Sequence, residues 1–175
     1  MPTLTEKTLK EIFTKTEFTL SQFKTFIETG SHMGHTIDNM LPYFENLITI
    51  EVSEKYYNIV KDKFKDTPKV KCIYGDSGLI LETILPEKKE FTIFWLDGHY
   101  SSGDTGKGIK DCPLIEELKI IDKHYTNTVI IIDDYRLFGV KGAEDWTDIT
   151  DKNVKNCFKK IKNIFSMEDR FIICI

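Results

Sequence analysis

The stretch FIETGSHMGHT (Phe26–Thr36) joins a short apolar run to a segment of helical character, and sets two glycines, Gly30 and Gly34, just behind an acid, Glu28. Its letters GSHM are also what removal of a purification tag leaves in many recombinant proteins, but such a remnant would not fall between a strand and a helix. Strand, glycine turn and helix in that order open a βαβ unit. Glycines at such a turn let the backbone pass close to a bound group. The spacing is G-x-x-x-G, and the dinucleotide fingerprint G-x-G-x-x-G is absent. A carboxylate just before the turn favours a cationic or hydroxyl-bearing ligand over a pyrophosphate. Between the glycines, Ser31, His32 and Met33 read as spacers whose side chains matter less. A tight turn without a ligand is the simpler alternative.

Outward from this turn the same alternation continues. Apolar runs rich in Ile, Val, Phe and Thr occur at FKTFIE (23–28), NLITIE (46–51), VKCIYG (70–75), FTIFWLD (91–97), TVIIIDD (128–134) and RFIICI (170–175). That composition is a strand composition, and nearly continuous apolarity suits strands covered on both faces. Helical segments lie between them: TIDNMLPYF (36–44), SEKYYNIVKDKF (53–64), SGLILETIL (77–85) and PLIEELKIIDKH (113–124). In the last, Leu114, Ile115, Leu118 and Ile121 form one face and Pro113 suits a first helical position; Ser53 caps the second. An N-terminal helix near 5–14 and another near 151–164 complete the count. The fold class is α/β: a doubly wound, mostly parallel Rossmann-like sheet with helices on both faces, built as one domain over 1–175.

Bulk properties narrow the partners. A chain of 175 residues with 41% hydrophobic content supports a single core,. A formal net charge of −4 offers no basic field for phosphate backbones, so no nucleic-acid partner is expected,. Cys72, Cys112, Cys157 and Cys174 show no C-x-x-C spacing, which suggests neither zinc nor a disulfide framework,. The polar MPTLTEKTLKEIF start is unlike a secretory signal, and no apolar run reaches the roughly 18 residues of a membrane span. The expectation is a cytoplasmic protein with no membrane partner, in which a homo-oligomer is left open.

In open parallel sheets ligands bind outside the carboxyl ends of the strands. After the first end, the second supplies Glu51, 21 residues beyond Gly30, about where doubly wound folds place the acid that accepts from ribose hydroxyls,. Asp76 and Ser77 follow the third; Asp76 reads either as a helix N-cap or as an acceptor for an adenine amino group. The fourth end, DGHYSSGDTGKG, is not a phosphate loop, because Lys107 is followed by Gly108 and Ser101 stands where its first glycine would be,. A long loop here can close over a substrate. At the fifth end Asp133 and Asp134, with Asp97 from the fourth, put three oxygen donors at one edge. Unpaired they would repel, and a Mg²⁺-type ion would relieve this. Alternatively, one aspartate caps a helix and another meets a lysine.

With these positions in hand, the chain resembles class I S-adenosylmethionine (SAM)-dependent methyltransferases. Glu28-x-Gly30-x-x-x-Gly34 resembles their first motif, Glu51 their ribose acid and Asp76 their adenine-proximal acid. FWLDGHYS with VIIIDDY is similar to the macrocin O-methyltransferase group, whose stretches read roughly L-D-G-D-x-Y and V-I-x-D-D-Y, and more distantly to catechol O-methyltransferases. The resemblance runs from about Lys24 to Gly139. It implies SAM held by Glu28, Gly30, Ser31, Gly34, Glu51, Asp76, Ser77 and Asp97, and Mg²⁺ held by Asp97, Asp133 and Asp134. The reaction implied is methyl transfer to a hydroxyl of a small-molecule acceptor such as a sugar or diol. His99 replaces the second acid of L-D-G-D and becomes the candidate base, histidine being the side chain that ordinarily titrates nearest neutrality. Tyr100, Lys107 and Tyr135 are expected at the acceptor. The C-terminal two-strand hairpin common in these relatives is visible only as RFIICI. A non-catalytic nucleoside-binding or protein-interaction module is the rival reading, and an NAD-type oxidoreductase is weakened by the missing fingerprint.

Overall fold

The computed structural model describes residues 3–84, 91–101 and 105–175. Leu85, the last residue of one expected helix, and residues 102–104 of the glycine-rich stretch lie outside them.

Seven strands form one sheet: β1 (Thr25–Thr29), β2 (Asn46–Glu51), β3 (Val70–Tyr74), β4 (Thr92–Leu96), β5 (Val129–Ile132), β6 (Asn163–Met167) and β7 (Arg170–Cys174). Their order is β3-β2-β1-β4-β5-β7-β6; β1 to β5 run parallel and β7 is antiparallel to both its neighbours. Successive residues of the central strands feed opposite cores, because side chains alternate along a strand. Phe26, Ile93, Trp95, Val129 and Ile131 enter one layer and Ile27, Phe94, Leu96, Ile130 and Ile132 the other. Both layers are buried and apolar, which explains why β4 and β5 read as nearly continuous apolar runs,.

Helices α1 (Glu6–Phe13), α2 (His35–Met40) and α3 (Glu54–Lys63) cover the first layer through Leu9, Ile12, Ile37, Met40 and Val60. Helices α4 (Ser77–Ile80), α5 (Leu114–His124) and α6 (Asp151–Lys155) cover the second through Leu114, Leu118, Ile121 and Val154. Pro113 and Ser53 each precede their helix by one residue, and Ser53 makes no side-chain cap bond. No helix of the described residues is long and apolar enough to cross a membrane.

One expected element is corrected. The helix near 151–164 stops at Lys155, and Asn163–Met167 is instead the edge strand β6, hydrogen-bonded to β7. NIFSM sends Ile164 to one layer and Phe165 and Met167 to the other, a period of two,. The C-terminal hairpin is therefore present. Its two-residue turn holds Glu168 at φ +53°, a conformation usually left to glycine or asparagine,.

Candidate active site

The β1–α2 turn is shaped by close approach. Gly30 has φ +85°, and a Cβ there would lie 2.2 Å from the carbonyl oxygen of Asp97, so only glycine lets the turn cross the end of β4,. Gly34, at φ +72°, caps α2, and a Cβ would meet the Phe64 ring at 2.9 Å. Its demand comes from helix packing. Of the four residues expected to hold SAM at this turn, Glu28, Gly30, Ser31 and Gly34, Gly30 alone borders the cavity at the strand ends. Glu28 and Ser31 are turned inward: Thr49 Oγ1 donates to Glu28 Oε2 at 2.6 Å and lies 2.5 Å from Ser31 Oγ. His32, expected as a spacer, lines the cavity; its ring sits 4.4 Å from that of Tyr56 and its N–H donates to Glu51 Oε2 at 2.8 Å. With φ +44° at His32, nothing but the fold could have announced this.

The cavity is a cleft open at its mouth, with about 560 Å³ of free space when the solvent at the mouth is counted. It straddles the β1/β4 boundary, where strand order turns back on itself, the usual crevice of doubly wound sheets,. At its β2/β3 end Glu51 accepts from His32 N and, through Oε1, from Ser53 N at 2.8 Å, which ties two turns together. A carboxylate has about four lone-pair sites, so two remain for hydroxyl donors. Asp76 does two things. Oδ1 caps α4 through Gly78 N at 3.0 Å, and Oδ2 accepts from Ile109 N at 2.8 Å. That second bond holds residues 105–110 against the cavity, where Gly106 and Gly108 pass so close that a Cβ would fall 2.6 Å from Ser53 N and 2.3 Å from Asp76 Oδ2. These glycines serve a cover over the cavity. Ser77 lines the cavity floor beside Gly98.

At the β4/β5 end lie Asp97, His99 and Asp134. Asp134 adopts a left-handed conformation, φ +58°, which aims its carboxylate at the imidazole. His99 Nε2 lies 3.1 Å from Asp134 Oδ2 and 2.9 Å from Ser101 Oγ, and Nδ1 lies 3.5 Å from Asp97 Oδ1. The ring packs edge-on against Trp146, 4.8 Å between centroids, and Trp146 Nε1 donates to Glu144 at 3.2 Å. Burial works to raise the Asp134 carboxyl, yet hydrogen bonds from His99 and Arg136 outweigh it and hold it below its ordinary range. Asp97 is pushed well above its range, by burial first and then by the charges of Asp133 and Asp134,.

The three expected carboxylates do not converge. Both Asp133 and Asp134 lie just beyond β5, and the left-handed backbone at Asp134 turns its carboxylate to His99 while that of Asp133 faces Arg170. Asp133 meets Arg170 instead, Oδ1 to Nε 3.5 Å, and burial raises it to about 6 although Arg170 pulls the other way. The group within mutual reach is Asp97, His99 and Asp134, whose donor atoms all lie within 4.8 Å of one another. Two carboxylates and an imidazole suit Mn²⁺, Fe²⁺ or Zn²⁺ better than the all-oxygen preference of Mg²⁺.

The residues expected at the acceptor lie outside the cavity lining. Tyr135 stacks on Phe171 and donates to Asp151 at 3.1 Å. Lys107 pairs with Asp111 at 2.6 Å and sits over the Tyr100 ring. Lys110 and Pro113 reach the lining in their place.

No family model matches the chain, and no curated protein matches it either. Solved structures do. A Staphylococcus aureus protein described as a caffeoyl-CoA O-methyltransferase aligns over 98% of this chain and 84% of its own, at 16% identity and a TM-score of 0.64. A Clostridium thermocellum protein described as an rRNA methylase aligns over 99% and 97%, at 12% identity and TM-score 0.64. An SAH-bound methyltransferase from Podospora anserina aligns over 86% and 71%, at 15% and 0.59. The chain thus has the Rossmann-like fold shared by SAM-dependent methyltransferases. At such identities the likeness is one of fold, and activity has to be argued from the site.

Proposed function

We propose that the protein transfers a methyl group from SAM to a hydroxyl of a small-molecule acceptor. The observation that carries this reading is one cavity bordered at one end by a hydroxyl-accepting acid, Glu51, and at the other by His99, which is backed by the buried Asp134. Ribose hydroxyls would donate to Glu51, and the turn at Gly30 would pass beside the methionine portion. Asp134, held ionised, accepts from Nε2–H of His99 and so leaves the lone pair on Nδ1, on the side of Asp97. That nitrogen takes the acceptor's proton as the new O–CH₃ bond forms and the S–CH₃ bond breaks, leaving a neutral thioether. Holding oxygen and methyl carbon in line is the larger part of the work, worth about 7–11 kcal/mol in well-oriented systems.

The acceptor class rests on this chain's own charge. Proteins of this fold are described as acting on acceptors as different as caffeoyl-CoA and rRNA. Here the net charge is −4, and Lys107 and Lys110 near the mouth are paired with Asp111 and Glu116. That favours a small neutral acceptor over a polyanion.

A second reading is favoured by the three clustered donors. Asp97, His99 and Asp134 would hold a divalent cation, which supplies a Lewis acid to lower the pKa of an acceptor hydroxyl,. The expected Mg²⁺ is one candidate, and the imidazole makes Mn²⁺ a better one. Turnover that persists at full rate in excess EDTA removes this reading and leaves His99 as the base.

The test is calorimetry with S-adenosylhomocysteine, then conversion of SAM to S-adenosylhomocysteine with a panel of diols and sugars. Saturable binding at one site is expected; its absence from the folded protein overturns the proposal, and binding without turnover on any acceptor favours the non-catalytic module. Gly108→Val should weaken S-adenosylhomocysteine about tenfold or more, because a branched side chain displaces Asp76 Oδ2 and lifts the cover, a misfit of about 1–3 kcal/mol,. An unchanged dissociation constant would show that the cover does not bear on the ligand.

A further inference from the structure

Glu28 is 1% exposed and stands beneath the cofactor turn, paired in register with Thr49 of β2 and Trp95 of β4. A short chain of side chains leads from it to the turn: Thr49 Oγ1 donates to Glu28 Oε2 at 2.6 Å, and Ser31 Oγ lies 2.5 Å from Thr49 Oγ1. Ser31 is itself 5% exposed and immediately follows Gly30, the turn residue that borders the cavity. Thr36, in the first turn of α2, hydrogen-bonds the same carboxyl. Lys63 on α3, a cation whose charge reaches Glu28, is committed elsewhere: its ammonium binds Asp38 and donates to the carbonyls of Met33 at 3.0 Å and Gly34 at 3.4 Å. Among the described residues no ion pair is formed by Glu28.

A carboxyl so placed is better satisfied neutral than ionised. A neutral acid both donates and accepts, so it can close the chain with Thr36 and Thr49; an ionised one only accepts, and its charge is left in an apolar layer without a counter-ion. Burial raises its pKa to about 8, against the hydroxyls of Thr49 and Thr36. Of the charged groups that face it, Glu51 on β2 adds to the rise and Lys63 on α3 opposes it. The Cys72 thiol on β3 and Asp97 beyond β4 are raised in part by its charge.

We propose that Glu28 is a positioning residue that works as a neutral carboxylic acid, holding Ser31 and with it the Gly30–His32 turn in the shape that receives the methyl donor. Loss of its proton loosens the turn and weakens donor binding. The inference rests on the reading of the cavity as a SAM site, and it assigns Glu28 and Ser31 a role through the backbone and none in direct contact.

The stability linkage has a definite sign. A carboxyl whose pKa is 4.5 unfolded and about 8 folded binds its proton more tightly in the native state, so its contribution to stability declines as pH rises from 4.5 to 8 and is flat beyond,. Glu28→Gln, isosteric and neutral at every pH, removes that decline. Its melting temperature should exceed the wild type's at pH 8.5 and converge on it near pH 4.5.

The experiment is calorimetric titration of S-adenosylhomocysteine into wild type, Glu28→Gln, Glu28→Ala and Thr49→Val at intervals from pH 6.5 to 9.0. A displacement of the carboxyl's pKa by about one unit on binding changes affinity about tenfold across its titration. Wild type should lose about that much relative to Glu28→Gln, in which the ligand's own amine still titrates but Glu28 does not. Thr49→Val, which breaks the chain, should bind weakly at pH 6.5. The proposal is overturned if Glu28→Gln follows the wild-type profile throughout, or if at pH 6.5 it binds as weakly as Glu28→Ala. Absence of binding by wild type at every pH removes the SAM reading and the proposal together, whereas a shared profile removes the proposal alone. Should Glu28→Ala fail to fold, the Gln and Val variants carry the comparison.

Discussion

Replacing His99 with Gln is expected to slow methyl transfer by about 10²–10⁴-fold, the usual contribution of a positioned general base. Gln keeps an N–H that can reach Asp134 and fills most of the space against Trp146, so the fold and the donor pocket should survive. Affinity for S-adenosylhomocysteine should then stay within about threefold, since an interaction used only at the reacting oxygen lowers kcat and kcat/KM together. The pair of measurements is decisive in both directions. Equal losses of rate and donor affinity would assign His99 to binding, and a variant with full turnover would move the proton to another group. Asp134→Asn adds a second arm: it retains shape and loses the charge that fixes the imidazole's tautomer, so its rate should fall while donor affinity again holds,.

Arg170→Met is expected to destabilise the protein by about 3–5 kcal/mol, the range found when one member of a buried ion pair is removed. Arg170 is 4% exposed and Asp133 is 2% exposed, and the guanidinium lies over the Trp95 ring at 5.5 Å. Met fills much of the volume but leaves the Asp133 carboxylate uncompensated. The loss should depend on pH, and its sign follows from Asp133. That carboxyl is already raised from 3.8 to about 6 by burial, with Arg170 opposing, so it weakens the fold as pH rises from 3.8 to 6,. Without Arg170 the rise is greater and the decline continues to higher pH. Denaturant unfolding should therefore show a larger deficit at pH 8 than at pH 4. The double variant Asp133→Leu with Arg170→Met should recover much of it. A deficit below about 1 kcal/mol at pH 8 would mean that the pair is solvated in solution.

Much of the architecture was legible because β4 and β5 are buried on both faces and read as nearly continuous apolar runs followed by acids, while β1, equally buried, leads into a glycine turn. What escaped detection was decided by single backbone conformations. The β6–β7 hairpin turns on Glu168 at positive φ, where a glycine or asparagine would have announced it,. Adjacent aspartates suggest one site, yet the left-handed turn at Asp134 sends its carboxylate to His99 and leaves Asp133 to Arg170. His32 faces the cavity because of its own positive φ and the bond of its N–H to Glu51, neither of which periodicity reports. Gly34 must be glycine, but the clash it avoids is with Phe64 at the end of the neighbouring helix.

The sheet order also bears on how the chain finds its fold. β1, β2 and β3 pair with sequence neighbours across single helices, whereas residues 25–29 of β1 must also accept residues 92–96 of β4 on their other edge. That pairing closes a long loop, with an entropy cost that local pairings avoid, and places folding on the order of milliseconds to seconds. The cavity straddles this β1/β4 seam, so it exists only once that pairing has formed. A ligand that needs both sides of the seam binds the native state and not the unfolded chain. It should lengthen the lifetime of the native state and leave the rate of folding almost untouched.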